Sequence, residues 1–309
     1  MTDFLIGAGG WAYFNVPGVD SLTAYSRAFN FVEVNSTFYE IPKMRIVESW
    51  RRNVPEDFQF SVRCNKRLTH ELKFEPVQEA YSILDEMISI CEILEAEVLH
   101  FQTPPSFHYN KTNSEKVKDF FSSTELNRLR IALEIRSSAS LNPRLVKTLQ
   151  ELDFIHCVDL LNGIKPAYFS DIFYTRLFGK GLHNIYQPLD IEIKQINEVA
   201  SQEGIKKAVI VSHSMRMFKD AARFRLYNET GQFPMVTKST GIDSLAEVLT
   251  EDAIFPSTKK DLLSHQGWKI IDVTSEARIR ASDLLKKLPE KTFNGINEVL
   301  HVLRDQNLE

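Results

Sequence analysis

The sequence predicts an eight-stranded (β/α) TIM barrel followed by a small, mostly helical C-terminal domain. Three observations lead there. Short β-rich apolar runs alternate with longer stretches of helical periodicity, the mark of repeated βα units around a parallel sheet. Eight such runs fit before residue 232. The one glycine-rich turn, Gly7-Ala8-Gly9-Gly10, leads into Trp11, Tyr13 and Pro17 instead of the helix that a doubly wound nucleotide-binding fold places there.

The eight strands are read at 4–9, 31–36, 58–63, 98–103, 131–136, 154–159, 172–177 and 208–213. Between them, 19–29, 44–53, 77–95, 114–122, 143–151, 191–203 and 217–227 repeat apolar residues at three- and four-residue spacing, as helices packed on one face do. Asn142-Pro143 has the cap-then-proline form of a helix start. The connection 160–171, with Gly163 and Pro166, is too short for a proper helix. Residues 1–232 form the expected barrel and 233–244 a linker. Residues 245–309 form the small domain, with helices at 245–249, 259–266, 277–288 and 294–303 and a strand-like run at 268–273.

With 309 residues, 43% of them hydrophobic, the chain can bury a sizeable core. A net charge of −4 excludes nucleic-acid binding by bulk charge, so such binding needs a local basic patch. Cys64, Cys91 and Cys157 lie far apart with no CxxC pair, which argues against a disulfide framework or structural zinc. No basic leader opens the chain, and no apolar run nears the roughly 18 residues of a membrane span. The expectation is a cytoplasmic protein without a membrane partner.

Barrel chemistry comes from strand C-terminal ends and the loops after them. Strand two offers Glu33 and Asn35, two residues apart and therefore on one side, and strand five repeats the device with Glu134 and Arg136. Strand three ends in Arg63, followed by Lys66 and Thr69-His70-Glu71. Gln102, Asp159, Arg176 and His213 close strands four, six, seven and eight, while Trp11, Tyr13, Phe38 and Tyr39 bring aromatic faces. Carboxylates beside cations suit proton transfer or a divalent metal, guanidiniums suit phosphate, and aromatic rings suit a base or sugar. Each group also has a plainer reading. Glu33 and Glu134 can be buried ion-pair partners of Arg136 and Arg176, the aromatics can be packing, and His70 can be a turn residue. No His-Glu-x-x-His, nucleophile elbow or Walker loop is present.

These residues carry a family likeness. The runs 7–13 (GAGGWAY) and 31–39 (FVEVNSTFY) resemble the opening of the YecE-like family, domain of unknown function 72. So do Lys66 with Thr69-His70-Glu71, then 102–107 (QTPPSF), 134–136 (EIR) and 174–179 (YTRLFG). The resemblance implies a TIM barrel similar in outline to the endonuclease IV and xylose isomerase group, and thus a groove for DNA or sugar phosphate. Two places depart from the family pattern: Phe178 stands where members usually carry His, and Val211-Ser212-His213-Ser214 replaces a Phe-Asn-Asn type run. The tail, through 255–263, 281–289 and 298–300, resembles the helical domain of unknown function 2795, which implies a surface for a protein or nucleic-acid partner.

The functional expectation is a hydrolase or lyase acting on a phosphate-bearing substrate, nucleic acid foremost. Glu33, Glu134 and His70 are its catalytic candidates. Trp11, Tyr13, Asn35, Tyr39, Lys66, Gln102, Arg136, Asp159, Arg176 and His213 are its substrate-binding candidates, with a divalent metal as the open cofactor. The alternatives are a non-catalytic nucleic-acid-binding module with a partner-binding tail, and a sugar or sugar-phosphate isomerase or hydrolase.

Overall fold

The computed structural model describes residues 2–137 and 142–305. In chain order it contains β1 (Asp3–Ala8), α1 (Ser21–Ala28), β2 (Phe31–Val34), α2 (Met44–Arg52), β3 (Gln59–Arg63), α3 (Gln78–Leu94), β4 (Val98–Gln102) and α4 (Lys111–Ser122). There follow β5 (Arg130–Glu134), α5 (Pro143–Glu151), β6 (Ile155–His156), β7 (Ile172–Leu177), α6 (Asp190–Ala200), β8 (Lys207–Ser212) and α7 (Met217–Thr230). All eight strands pair in parallel in the order β6-β5-β4-β3-β2-β1-β8-β7. A parallel bridge between Val158 and Thr175 joins the two ends, so the sheet closes into a barrel.

Local chemistry explains the boundaries. Asp20, Asn110 and Asn142 cap α1, α4 and α5 by accepting a backbone N–H three residues on, and Pro143 opens α5 where its missing N–H costs nothing. After β6 the chain makes only a 3₁₀ turn, Leu160–Asn162, as the short connection predicts. Strands β1 and β2 share a single Cα register pair, Ala8 with Val32. Tyr25 fills the gap in their ladder: its hydroxyl accepts the Ala8 N–H at 2.9 Å and donates to the Phe31 carbonyl at 2.8 Å. A Cβ on Gly7 would strike that carbonyl and the same hydroxyl, so glycine is required there.

Side-chain parity then places the site. Phe31, Ala132, Tyr174 and Val211 belong to the buried cluster inside the barrel. Two residues further along each strand on the same side stand Glu33, Glu134, Arg176 and His213. Arg63 follows Ser61, and Gln102 follows His100, with the same spacing. The upper interior layer is therefore polar on six strands.

The chain divides into two compact units. The first holds the barrel up to Leu177 with Glu198–His213 and Met217–Ala222. The second holds Phe178–Asn197, Ser214–Arg216 and everything from Arg223 on. Its later part contains α8 (Gly241–Asp252), β9 (Ser257–Thr258), α9 (Lys259–Gln266), β10 (Ile270–Asp272), β11 (Arg278–Arg280), α10 (Ala281–Leu285), β12 (Thr292–Phe293) and α11 (Ile296–Arg304). Leu245, Leu249, Leu262, Ile271, Phe293 and Leu303 form its core. The helix expected at 277–288 is instead a strand and a short helix. Ile279 stands opposite Ile271 in the β10–β11 ladder, and that pairing overrides the first residues of the helical pattern. The stretch read as a linker is partly structured: α8 begins at Gly241, and the N–H groups of Val236 and Thr237 donate to Asp272 at 2.9 and 2.8 Å. Within this unit, Gln187 Oε1 accepts the Ile270 N–H at 2.9 Å, and Asp190 pairs with Arg278 at 3.0 Å and with Arg223. Among the described residues no helix is long and apolar enough to cross a membrane.

Tyr25→Phe would leave a buried donor and a buried acceptor without their bridge. The expected cost is about 1–3 kcal/mol, read as a lower urea midpoint at unchanged slope.

Candidate active site at the strand C-terminal ends

One guanidinium joins two buried carboxylates across the barrel. Arg176 Nη2 and Nε donate to Glu33 Oε1 at 3.0 and 3.2 Å, and Nη1 donates to Glu134 Oε2 at 2.8 Å. The remaining oxygens are also engaged. Glu33 Oε2 accepts the Tyr174 hydroxyl at 2.8 Å, which leaves Ser61 to donate to that hydroxyl at 2.8 Å. His213 Nε2 lies 3.0 Å from Glu33 Oε1, and His100 Nε2 lies 3.0 Å from Glu134 Oε2. Facing a carboxylate, His100 Nε2 carries its proton, whereas His213 Nε2 also lies 3.2 Å from Arg176 Nε. Arg136 pairs with Glu134 Oε1.

Burial alone would push the Glu33 carboxyl up, but Arg176 and His213 hold it well below the usual carboxylate range. Glu134 is lowered too, its burial outweighed by Arg176, His100 and Arg136. His100 and His213 are pushed down to about 4, first by burial and then by the Arg176 charge, and burial brings His156 to about 4 as well. At neutral pH the layer thus holds ionised glutamates and neutral imidazoles.

Arg63 stands differently. It is 6% exposed, yet no carboxylate lies within ion-pair distance of it among the described residues. Its Nη1 donates to Asn35 Oδ1 at 2.6 Å and its Nη2 to Gln102 Oε1 at 2.9 Å, both neutral oxygens. That Gln102 oxygen also accepts from Arg176 Nη1 at 2.7 Å. The guanidinium carbon sits 3.5 Å from the Phe38 ring centroid, and the buried Nε has no partner. Burial and then the neighbouring Arg176 charge lower Arg63 to about 10. Three guanidiniums against two carboxylates leave the barrel floor with one positive charge in excess.

The other candidates sort around this floor. His70 lies on a π-helical turn, Arg67–Glu71, edge-on to Phe38 at 5.2 Å, with Nδ1 2.8 Å from the Thr69 hydroxyl. Burial, then the Arg63 and Lys66 charges, push its pKa down. Among the described residues nothing bonds its Nε2. Tyr39 is 64% exposed with the Lys66 ammonium 5.9 Å from its ring centroid, and Tyr13 is 81% exposed. Trp11 meets Trp50 edge-on at 5.2 Å. Asp159 accepts from the Leu161 N–H at 3.0 Å and from Asn162 Nδ2 at 2.6 Å, so its carboxylate caps its own turn. A Cβ on Gly9 would fall on the His213 imidazole, so this glycine makes room for the ring.

His100, Glu134 and Cys157 offer the one set of three potential metal-ligand atoms found among the described residues, all within 4.8 Å of one another. The donor set does not suit a cation. Glu134 Oε2 already takes Arg176 and His100, and burial pushes the Cys157 thiol well up, which keeps it protonated.

Parity brings Glu33, Gln102, Glu134, Arg176 and His213 together, with Asn35 joined through Arg63 and Arg136 through Glu134. Asp159 is occupied by its own loop, and Tyr13 by nothing inside the barrel. Tyr174 and His100 lie outside the candidates read from the sequence, and Arg63 is noted there as a strand end without a role. The available sign was their position: Arg63 ends its strand on the same side as Ser61, and His100 precedes Gln102 in the same row.

This is a TIM barrel with a buried layer of charged and hydrogen-bonded side chains at its strand C-terminal ends. The chain belongs to the family described as "Protein of unknown function DUF72", whose model matches residues 5–230. It is 39% identical to UPF0759 protein YecE of Escherichia coli (strain K12) over 54 residues, 18% of this chain and 20% of that protein. It is 30% identical to UPF0759 protein YunF of Bacillus subtilis (strain 168) over 129 residues, 40% of this chain and 44% of that one. The aligned stretches thus span less than half of either relative. Two solved DUF72 family proteins share the fold at 18% identity. The Enterococcus faecalis V583 protein has a TM-score of 0.58, covering 75% of this chain and 98% of its own. The Thermotoga maritima MSB8 protein has a TM-score of 0.60, covering 74% and 99%.

The two buried arginines should respond unequally to the same change. Arg176→Met strands two buried carboxylates and should cost about 3–5 kcal/mol in urea unfolding at neutral pH. Arg63→Met removes a charge without a counter-ion and should cost far less. Equal losses would contradict the assignment.

The pH dependence has a defined sign. The three imidazoles at about 4 have folded-state values below the ordinary imidazole value of about 6.5. Between those limits the unfolded chain binds more protons, so stability falls as pH drops from about 6.5 towards 4. The lowered glutamates add a further loss below the ordinary carboxylate range. A urea midpoint that stayed flat from pH 7 to pH 4.5 would rule out neutral buried imidazoles.

Proposed function

We propose that the chain is an enzyme of the hydrolase or lyase class that binds a phosphate-bearing substrate at this layer, nucleic acid being the form the rim suits. The observation that carries the reading is Arg63, a buried guanidinium without a carboxylate, beside a second guanidinium that shares its Gln102 acceptor. An anion reaching this floor meets uncompensated positive charge already desolvated, which makes a phosphate oxygen the natural counter-ion. Arg136 and Lys66 add cationic character at the edge, and Trp11 and Tyr39 offer faces on which a base or sugar ring stacks.

The glutamates take a different part from the one their chemistry first suggests. Glu33 and Glu134 hold Arg176, and every oxygen of theirs is engaged. His70 is the group suited to proton transfer, being neutral, within the field of Arg63 and Lys66, and open at Nε2.

The test is thermal stability with inorganic phosphate, alongside anisotropy of labelled single-stranded, duplex and abasic DNA over a salt series. Phosphate should raise the melting temperature, and DNA binding should weaken steeply with salt. Arg63→Met should weaken either by about 10- to 100-fold, the worth of a charge-assisted hydrogen bond. His70→Gln should keep binding and lose cleavage. Binding without cleavage in the wild-type chain would leave a non-catalytic binder, and no response to phosphate or DNA at low salt would sink the proposal.

A further inference from the structure

Thr69 is fully buried, and its hydroxyl lies 2.8 Å from His70 Nδ1. Among the described residues that ring nitrogen is the hydroxyl's one hydrogen-bond partner. If Nδ1 were the donor, the Thr69 proton would be buried without an acceptor, at the full cost of its desolvation. With Thr69 as donor, the hydroxyl proton is satisfied and Nδ1 accepts. A neutral ring must then carry its own proton on Nε2. The ring is neutral at ordinary pH, because burial and the Arg63 and Lys66 charges lower its pKa against the opposing charge of Glu71.

The turn that carries both residues is fastened to the same strand end as Arg63. The Leu72 N–H reaches back five residues to the Arg67 carbonyl at 2.9 Å, a π turn, which is a form frequent at functional sites. Asn65 holds the start of that turn. Its Oδ1 accepts the Arg67 N–H at 3.0 Å, and its Nδ2 donates to the Thr37 carbonyl at 2.9 Å. The Thr37 hydroxyl donates in turn to the Arg63 carbonyl at 2.6 Å. One aromatic ring then joins the two working ends. Phe38 has the Arg63 guanidinium 3.5 Å from its centroid and the His70 ring edge-on at 5.2 Å. His70 itself is half-buried.

We infer that His70 is a hydrogen-bond donor to the bound anion through its Nε2–H, and that Thr69 is the positioning residue that fixes this tautomer. The inference rests on the phosphate site proposed above and decides the direction in which its imidazole works. A ring that carries its proton on Nε2 cannot take one from water at that nitrogen. It works from the donor side, offering its N–H to negative charge on a phosphate oxygen. Arg63 supplies the full charge, and His70 supplies a neutral, directed donor. The pair therefore selects an oxyanion, whose oxygens only accept, over a cation or a ligand that presents an N–H there.

The experiment is nitrogen-15 NMR of the histidine side chains in the full chain at neutral pH, with His70→Gln identifying the His70 signals by their loss. The wild-type ring should show the Nε2–H tautomer, with Nδ1 unprotonated and hydrogen-bonded. Inorganic phosphate should move the Nε2–H signal as it raises the melting temperature. His70→Leu should weaken phosphate binding by about 3- to 10-fold, the worth of one neutral hydrogen bond, and His70→Gln, which keeps an N–H, should weaken it less. Thr69→Val, close in size, should release the ring into a mixture of tautomers, and Thr69→Ser should restore the single one. A merely structural Thr69 would alter the melt and leave the tautomer alone. An Nδ1–H ring in the wild-type chain overturns the proposal without need of any variant. So does a Thr69→Val tautomer identical to the wild type, or phosphate that stabilises the protein without moving the His70 signal. If phosphate changes neither melt nor spectrum, the phosphate site itself fails and the donor role falls with it. The tautomer is still read in the free protein, so the two failures are distinguishable.

Discussion

The barrel interior depends on one constraint: two carboxylates and a guanidinium buried with almost no water must satisfy one another. Glu33, Arg176 and Glu134 come from strands remote in sequence, and their hydrogen bonds hold only if β2, β5 and β7 keep their register. Burying any one of them alone would cost several kcal/mol, so each makes the others tolerable. The neighbouring groups follow from that arrangement. Tyr174 donates to the second Glu33 oxygen, His100 and His213 face the oxygens that Arg176 also binds, and their neutral states keep the layer from gathering further charge.

The barrel was legible in the sequence because parallel strands buried on both faces leave short apolar runs, and a polar residue inside such a run stands out. Glu33 within FVEV and Arg176 within IFYTRL are visible for that reason. What each polar residue does was not legible. Asp159 looks like Glu134 at a strand end, yet its carboxylate turns to cap the 3₁₀ turn that follows, a choice set by loop geometry. Arg63 was underweighted because its meaning lies in what it lacks, and the absence of a counter-ion is visible only in three dimensions. The tail was harder still. Its elements are two to five residues long at β9, β10, β11, β12 and α10, too short for any periodicity to separate strand from helix.

The contrast between Arg176 and Arg63 gives the layer its chemical sense. Both are arginines at inward strand positions, both are buried, and both donate to the same Gln102 oxygen. Arg176 has two carboxylates, so its charge is held as structure and is hard to recruit. Arg63 has none, and its charged form is already weakened by burial and by its neighbour. A purely structural role would favour an apolar side chain there, because an uncompensated buried charge destabilises the fold. The cost is sensible if an anion arrives to offset it. The aromatic ring of Phe38 supports the guanidinium from one side, and His70 stands at the edge of that same ring. The arrangement couples the cation that would hold an anion to the imidazole that would move a proton, through one shared side chain. The fold thus supplies rigidity from the Glu–Arg–Glu network and, in the proposed reading, keeps its unbalanced charge for an anionic ligand.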